Sequence, residues 1–367
     1  MNMLAQILKL LKPLLLPISL LYGLIIWIRN KVYDKGIYAG IEFSVPVISV
    51  GNLSTGGTGK TPHIEYLIRL LQYEYKVATM SRGYKRQTRG FQLADAQTNA
   101  AKIGDEPMQF HLKFPETIVS VCEERMTGIP ELMRIYPEID VILLDDAYQH
   151  RSVKPGLNIL ITDYNKPFYK DFILPFGGLR EPRSSYNRAD LIIVSKCPQD
   201  LSKEKQTEII GAIKPFPKQK VLFTYIQYTG FLDFFTMQES NIPPDANIIL
   251  VSGIANPEPL SAYLSNMGKY LHLLRFPDHH YFSNFDLEEI KKTYQNWETE
   301  NKIIVTTEKD AVRLGLHFEA IKAWDIPIFI LPIEVKFLNN QTIFDEIVLR
   351  YIQKERMEND DFFNINQ

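Results

Sequence analysis

The sequence predicts an α/β fold, in which a doubly wound parallel sheet is followed by a second, smaller α/β domain and preceded by an N-terminal apolar helical segment. Short apolar runs alternate with helical stretches, which is typical of strands in a parallel sheet. A stretch rich in proline and lysine, residues 214–220, interrupts the alternation, and a second series of apolar runs follows it. With 367 residues, 45% of them apolar, the chain is long enough for two packed domains.

The individual elements follow from these patterns. The predicted strands are residues 45–50, 76–80, 117–122, 141–144, 157–161 and 191–194 in the first series, and 221–228, 248–251, 270–274, 303–305 and 326–331 in the second. Residues 285–297 have apolar side chains at helical spacing, with Ser283 or Asn284 as the N-cap. The predicted boundaries give an N-terminal segment at 1–36, a first domain at 37–214, a second domain at 215–353 and a polar tail at 354–367.

The motif with the most specific chemistry follows the first of these runs, where residues 51–62 read GNLSTGGTGKTP. Small residues let successive backbone N–H groups turn inward around a polyphosphate, Lys60 places a charge near the β- and γ-phosphates, and the Thr61 hydroxyl can ligate Mg²⁺. Pro62 suits the first turn of a helix whose positive end faces the anion. The predicted nucleotide-binding residues are Ser54, Thr55, Gly56, Gly57, Thr58, Gly59, Lys60 and Thr61. The first domain is therefore predicted to be a P-loop kinase-type sheet that binds ATP or GTP, with Ser54 at a position where the general pattern has glycine.

Carboxylates and other polar groups follow several of the predicted strands. Asp145 and Asp146 end the run at 141–144, and a carboxylate on a strand beside a P-loop can reach the Mg²⁺ held by Thr61. Further polar clusters lie in loops, where ligands bind in open α/β sheets: residues 81–84, 104–107, 149–151, 174–182, 278–280 and 306–310. The adjacent His279 and His280 do not indicate zinc, because neighbouring side chains point in different directions and no third ligand is suitably spaced.

The overall composition argues against several classes of function. The 41 basic and 43 acidic residues are mixed along most of the chain, so the net charge of −2 gives no general nucleic-acid footprint. Cys122 and Cys197 lie within or just after apolar runs and lack a metal-binding spacing, which indicates neither a disulfide scaffold nor a zinc site and fits a reducing compartment. No obligate protein partner is evident.

The N-terminus differs from the rest of the chain, because residues 13–28 carry no charge and have basic residues on both sides. Sixteen helical residues reach about 24 Å, short of the ~30 Å hydrocarbon core, and Pro13 and Pro17 are expected to interrupt the helix, so a membrane span is not favoured. A signal peptide is not favoured either, since no cleavage site follows. The alternative that stays open is a helix packed on the domain core. The favoured interpretation is an interfacial segment whose basic flanks meet anionic lipid, with Tyr22 and Trp27 near the headgroups.

A set of motifs resembles the tetraacyldisaccharide 4'-kinase family of lipid A biosynthesis. In chain order, these motifs are Gly51-Asn52-Leu53 with Gly56 to Pro62, Ser81-Arg82-Gly83-Tyr84, Gly104-Asp105-Glu106-Pro107, Asp145-Asp146 with Gln149-His150-Arg151, Leu174-Pro175 with Arg180-Glu181-Pro182, Asp278-His279, and Thr307-Glu308-Lys309-Asp310. The match keeps this order between about residue 20 and residue 335. The family carries a small hydroxyl residue at the first position of the phosphate loop, so Ser54 conforms to it.

The resemblance implies an enzyme that transfers the γ-phosphoryl group of ATP to the 4'-hydroxyl of a tetraacyl glucosamine disaccharide 1-phosphate, giving lipid IVA, with ATP and Mg²⁺ as cofactors. The implied partners are the acylated disaccharide 1-phosphate substrate and an anionic membrane surface. The implied location is the cytoplasmic face of the bacterial inner membrane, where the protein is peripheral or monotopic. The family fold is two α/β/α domains joined by a short β linker, with ATP and substrate meeting in the cleft.

Residue by residue, the resemblance implies that Asp105 is the catalytic base and His279 its partner. Such an imidazole can orient the carboxylate and share its charge while the sugar hydroxyl loses its proton. Because the two residues belong to different predicted domains, productive geometry is expected to require domain closure. The resemblance also places Asp145, Asp146 and Glu181, with Thr61, near Mg²⁺, and it places Tyr84, Arg125, Gln149 and Arg180 along the cleft.

Two other classes share part of the pattern. A P-loop metallochaperone or partitioning ATPase has a similar glycine-rich core, but the partitioning type has a second lysine where Thr55 stands, and a metallochaperone needs Cys or His clusters that this sequence lacks. The other class is a nucleotide-gated membrane-binding module without enzymatic activity. Transfer of phosphate from ATP to the acylated disaccharide distinguishes a kinase from both.

Overall fold

The computed structural model describes residues 12–268 and 270–365 and confirms the predicted α/β fold. Its strands, numbered β1 to β14 in chain order, are Val47–Asn52, Val77–Ser81, Gln92–Leu93, Ile118–Val121, Val141–Asp145, Leu157–Asp163, Leu191–Ser195, Lys220–Tyr228, Leu232–Asp233, Asn247–Ser252, Tyr270–Arg275, Lys302–Thr307, Ile328–Leu331 and Ile333–Phe337. Its α-helices, numbered α1 to α11, are Leu16–Asp34, Lys60–Leu71, Ala100–Ile103, Asp105–Lys113, Arg125–Ile135, Lys203–Ile213, Glu258–Ser265, Asn284–Asn296, Glu308–Leu314, Phe318–Lys322 and Gln341–Ile365. Short 3₁₀ helices cover Lys12–Leu15, Phe168–Lys170, Arg183–Arg188 and Gly315–His317.

The chain forms two compact units. The first contains the described residues through Arg82, then Glu116–Ile226, and then those from Val335 onward. The second contains Gly83–Pro115 and Gln227–Glu334. Residues 83–115, which the sequence analysis assigned to the first domain, thus belong to the second unit, whereas 215–226 and 335–353 belong to the first. Composition along the chain does not reveal this division, because each unit combines segments that are distant in sequence.

The first unit is built on a sheet whose strand order is β14-β8-β7-β6-β1-β5-β2-β4. Strand β1 is buried along its whole length and pairs in parallel with both β5 and β6. In the β1–β5 pair, Val50 lies opposite Asp145. The carboxyl ends of β1 and β5 are therefore adjacent, at the edge of the sheet where ligands bind in open α/β folds.

The second unit contains a smaller sheet in the order β11-β10-β12-β13-β9, in which all neighbouring pairs except β13–β9 are parallel. Alternate residues of β10 enter two separate cores, Ile249 and Val251 in one and Ile248 and Leu250 in the other, as expected for a strand covered on both faces. Helix α8 begins after Ser283, which forms a capping box with Asp286 and confirms one of the two predicted N-caps.

The C-terminal helix α11 continues through Ile365, so residues 354–365, predicted to be a polar tail, are helical. Its Tyr351 hydroxyl donates to the Val47 carbonyl at 3.2 Å and accepts from the Val47 N–H at 3.0 Å. This contact with β1 places α11 in the first unit.

Helix α1 follows directly from the 3₁₀ turn that contains Pro13, and the expected interruption at Pro17 is wrong. Pro17 occupies the first turn of α1, where a missing N–H costs no helical hydrogen bond. The 22 residues of Pro13–Asp34 are long and apolar enough to cross a membrane, a test that core helices and signal sequences also pass. This helix does not pack as a core helix, since only 11% of its most apolar stretch is buried.

Candidate active site

The phosphate loop has the backbone that its sequence predicts. Gly56 and Gly59 have φ angles of +98° and +91°, a region that residues with a Cβ atom rarely adopt. A Cβ atom built on Gly56 or Gly57 would meet no heavy atom within 4 Å, so there is open space beside the loop. Gly59 is the N-cap of α2, which buries Ile64, Leu67, Ile68 and Leu71 completely. The loop can therefore receive an anion at the N-terminus of a firmly packed helix.

Side chains from neighbouring strands hold this loop in place. The Asn52 amide donates to Thr58 Oγ1 at 2.8 Å, and the Ser195 hydroxyl donates to the Thr58 carbonyl at 2.6 Å. Lys196 donates to the Gly57 carbonyl and pairs with Asp163 at 2.9 Å. Sequence analysis missed Ser195, the last residue of β7, and Lys196, which follows it, although polar residues at the ends of strands are a usable signal.

The start of the loop is joined to the segment at 174–182. The Thr55 N–H and hydroxyl both donate to the Gly178 carbonyl, at 2.7 and 3.2 Å, and Ser54 forms an isolated bridge with Leu179. Ser54 is buried, so a hydroxyl residue at this position packs within the protein. Ser54 and Thr55 thus fasten the start of the loop to this segment.

Asp146 lies at the centre of a charged cluster beside the loop. Its carboxylate is 3.5 Å from Lys60 Nζ and accepts two hydrogen bonds from the Arg180 guanidinium, at 2.7 and 3.1 Å. Arg180 also donates to Asn52. Burial raises the pKa of Asp146, but the charges of Lys60 and Arg180 outweigh that effect and hold the pKa well below its usual range. Asp146 is therefore an anion at neutral pH, as a magnesium ligand must be.

The predicted metal ligands fall into two groups. Thr61 lies in the first turn of α2, and Asp145 is the last residue of β5; both are buried. Glu181 has different surroundings, because its Oε2 accepts from Arg188 at 2.7 Å and from Asn30 at 3.3 Å. Across the described residues there is no group of three or more His, Cys, Asp or Glu side chains that could hold a metal ion.

Two of the predicted substrate contacts in the first unit bond to backbone. Arg125 is 1% exposed and donates to the carbonyls of Cys122 and Asp145, at 2.7 and 3.3 Å. The Gln149 amide donates to the Asn52 carbonyl at 2.8 Å. Arg125 therefore links the carboxyl ends of β4 and β5, which lie on either side of β2. Gln149 links the loop after β5 to the end of the neighbouring strand β1.

The second unit contains the two predicted catalytic residues, Asp105 and His279, and the predicted substrate contact Tyr84. Asp105 begins α4 and is 3% exposed, and its Oδ2 is 2.7 Å from His279 Nδ1. The exposed Tyr84 ring meets the His279 ring edge to face, with 5.1 Å between centroids. Burial raises the pKa of Asp105, but the hydrogen bond from His279 and the charges of Lys309 and Arg313 outweigh it and lower the pKa to about 2. The carboxylate is thus ionised at neutral pH and can accept a proton.

The assignment of Asp105 and His279 to different domains is wrong, because both belong to the second unit and are hydrogen bonded to each other without any closure. The second unit combines residues 83–115 with residues 227–334, so a large separation in sequence did not mean that the two residues belong to different units. His279 has a φ angle of +54°, an unusual value for a residue with a Cβ atom, which the surrounding structure must maintain.

The sheet is parallel around an open glycine-rich loop, a lysine begins the next helix, and an ionised carboxylate directly follows the adjacent strand. Together these features define the class of P-loop enzymes that transfer phosphoryl groups.

Comparison with known proteins gives the family within that class. The tetraacyldisaccharide-1-P 4'-kinase family matches residues 11–353. A tetraacyldisaccharide 4'-kinase of Flavobacterium johnsoniae is 47% identical over 95% of this chain and 99% of its own length, and one of Phocaeicola vulgatus is 44% identical over 93% and 95%. A crystal structure of "apo" form LpxK from Aquifex aeolicus in complex with ATP has a TM-score of 0.74 at 28% identity, covering 93% of this chain and 99% of that one. The chain belongs to the tetraacyldisaccharide-1-P 4'-kinase family.

Proposed function

We infer that the protein transfers the γ-phosphoryl group of ATP to the 4'-hydroxyl of a tetraacyl glucosamine disaccharide 1-phosphate, forming lipid IVA. Family membership over nearly the whole chain carries this conclusion. The phosphate loop with Lys60 and Asp146 supplies the nucleotide site that such a reaction needs. Membership in a kinase family also argues against a metallochaperone, a partitioning ATPase and a non-enzymatic binding module.

The test is phosphate transfer from γ-labelled ATP to the tetraacyl disaccharide 1-phosphate, with the product identified by mass spectrometry. We expect one phosphate to be added at the 4'-position. ATP hydrolysis without acceptor phosphorylation would contradict the inference.

The pair of Asp105 and His279 is proposed to accept the proton of the attacking hydroxyl. An alcohol must lose its proton as its oxygen bonds to phosphorus, and an ionised carboxylate is a suitable acceptor. The imidazole, 2.7 Å away, orients Asp105 and shares the charge that the proton brings. Tyr84, which lies against His279 and is exposed, is proposed to contact the sugar.

Magnesium is proposed to be held by Thr61 with Asp145 or Asp146, and it would shield the charge of the β- and γ-phosphates. Arg180 would then hold Asp146 in position through its two hydrogen bonds. Glu181 is assigned to the support of this loop, since Arg188 and Asn30 already occupy one of its oxygens.

A magnesium titration tests this division of roles. We expect Thr61→Val to raise the Mg²⁺ concentration needed for half-maximal rate by about tenfold or more, because it removes a metal ligand. Glu181→Gln should leave that concentration near the wild-type value, even if it lowers thermal stability. Equal shifts in both variants would contradict the assignment of Glu181 to support.

The exposed face of α1 is proposed to lie in the surface of the inner membrane, on the cytoplasmic side. Leu20, Leu21, Leu24 and Trp27 are between 49% and 66% exposed. The opposite side of the helix is bound to the protein, since the Tyr22 hydroxyl donates to the Arg180 carbonyl at 3.1 Å. An apolar face of this kind gains free energy by leaving water for the acyl boundary.

Substitution on the exposed face tests membrane docking more sharply than truncation, because deleting the helix would also remove the Asn30 contact with buried Glu181. We expect Leu20→Gln combined with Leu24→Gln to weaken flotation with anionic vesicles and to raise the KM for a vesicle-borne acceptor. The KM for a detergent-dispersed acceptor should change less.

Tyr73→Ser is the matched control, since Tyr73 is 87% exposed elsewhere in the first unit and should affect neither measurement. Unchanged flotation and kinetics in the double variant would exclude this face as the membrane contact.

A further inference from the structure

Helix α9 begins within the Thr307-Glu308-Lys309-Asp310 motif. Two residues of the motif form ion pairs with α4, the helix that Asp105 begins. Lys309 Nζ is 2.5 Å from Glu106, and Glu308 is 2.5 Å from Lys113. These pairs fix α9 along α4, with each helix providing one charge of each sign.

Arg313 connects α9 to the backbone around His279. Its guanidinium donates to the carbonyls of Gly253 and His280, each at 3.3 Å. The Gly253 carbonyl also accepts the N–H of His279 at 3.2 Å. Arg313 therefore contacts the acceptor of the His279 N–H and the carbonyl one residue further on. Its Nε also lies 3.9 Å from Asp105 Oδ2.

Asp310 completes the arrangement from the other side of Gly253. It pairs with Arg313 at 2.9 Å and accepts the Gly253 N–H at 3.1 Å. Its second oxygen accepts from Thr307 at 2.7 Å. A Cβ atom at Gly253 would lie 3.0 Å from Asp310, so the peptide fits closely between the two charged side chains. The Gly253 N–H is held by Asp310 and its carbonyl by Arg313.

We propose that Arg313 is a positioning residue for the Asp105–His279 pair, and that it maintains the backbone conformation in which the His279 imidazole reaches Asp105. Arg313 is 1% exposed, so its part is not direct contact with substrate. The φ angle of +54° at His279 needs such support, because an isolated chain seldom adopts it. The planar guanidinium presents several donors at once, and it therefore serves the Gly253 and His280 carbonyls together with the Asp310 carboxylate. This inference rests on the proposed function only in its kinetic consequence, since the contact itself is measurable without turnover.

The decisive variant is Arg313→Lys. It keeps the charge, but a single ammonium group cannot reach Gly253, His280 and Asp310 together. We expect kcat to fall on the order of 10²-fold, the effect of a small misplacement of a reacting group, with the KM for ATP unchanged. In the His279→Ala background, the same substitution should cost little more, because residues acting through one group are not additive. The ¹⁵N signal of the His279 imidazole should shift at fixed pH, which reports the contact independently of activity.

Leu264→Ala is the control for general destabilisation. Leu264 is fully buried in the core on the other face of the same sheet, away from the cluster that contains Ala311 and Leu314 of α9. It should lower Tm while leaving kcat and the His279 signal unchanged. If Arg313→Lys does not fold, Asp310→Asn provides the same test, since it removes the charge partner of Arg313 while retaining an oxygen for the Gly253 N–H.

Three outcomes are distinguishable. An unchanged His279 signal in the folded variant, or losses that multiply in the His279→Ala background, would overturn the positioning role. A shifted signal with reduced kcat would support it. A shifted signal with normal kcat, together with near-normal kcat in His279→Ala, would support the contact and reject the proposed proton acceptor.

Discussion

Lys60→Ala is expected to lower turnover by about 10³-fold or more, the typical cost of deleting a preorganised charge that stabilises the transition state. Lys60 is the cation at the start of α2, and it lies 3.5 Å from Asp146. The loss should fall on kcat, because charge on the β- and γ-phosphates grows as the phosphoryl group leaves. Steady-state kinetics with the acylated disaccharide, together with a thermal melt, measures it.

Lys205→Ala is the control for this variant, since Lys205 pairs with Glu208 on the surface of the same unit, and the variant should retain full activity. Near-normal activity in a folded Lys60→Ala protein would refute the assignment of the nucleotide site. Loss of folding would leave kcat undefined, and Lys60→Met, which preserves the apolar stem, then supplies the measurement.

Asp105→Ala and His279→Ala are each expected to reduce kcat by about 10²-fold or more, in the range of general base catalysis. The double variant should lose far less than the product of the two single losses, since the residues act as one unit through their 2.7 Å hydrogen bond. A full double-mutant cycle on kcat at saturating ATP provides the coupling energy. Losses that multiply would mean that the two residues act separately.

His111→Ala is a suitable control for this cycle. His111 lies on the same helix as Asp105 but bonds to the Asp95 carbonyl at 3.1 Å, so its loss should leave kcat unchanged. Asp105→Asn separates charge from shape, because the amide can still pair with His279 but cannot accept the proton. It should be nearly as inactive as Asp105→Ala, and normal activity in Asp105→Asn would exclude the carboxylate as the base.

Local sequence accounts for much of the fold. Strand β1 and helix α2 could be predicted because their periodicity, the glycines between them and Pro62 all act within a few residues. The same holds for β5 and for the two carboxylates at and directly after its end. The phosphate loop was predictable for this reason, since its backbone conformation and its chemistry are encoded in one continuous segment.

The partners of buried polar residues were not predictable. Glu181 is in a motif that suggested a metal ligand, yet Arg188 and Asn30 bind its carboxylate, and Asn30 lies 151 residues away. Arg125 suggested a substrate contact, and it is buried with backbone carbonyls as its acceptors. A sequence shows that a residue is charged, whereas the cost of burying that charge is met by groups that only the fold brings near.

By itself, the sequence determined the α/β class, the phosphate loop and the family to which the chain belongs, because these depend on local patterns and on ordered motifs. Only the tertiary structure decided that Asp105 and His279, 174 residues apart, share one unit and a hydrogen bond. It also decided that Arg313 supports the backbone beside them. The physical reason is that long-range pairing is set by how strands and helices pack around a common core, and no pattern within a single segment specifies which distant segment that core will contain.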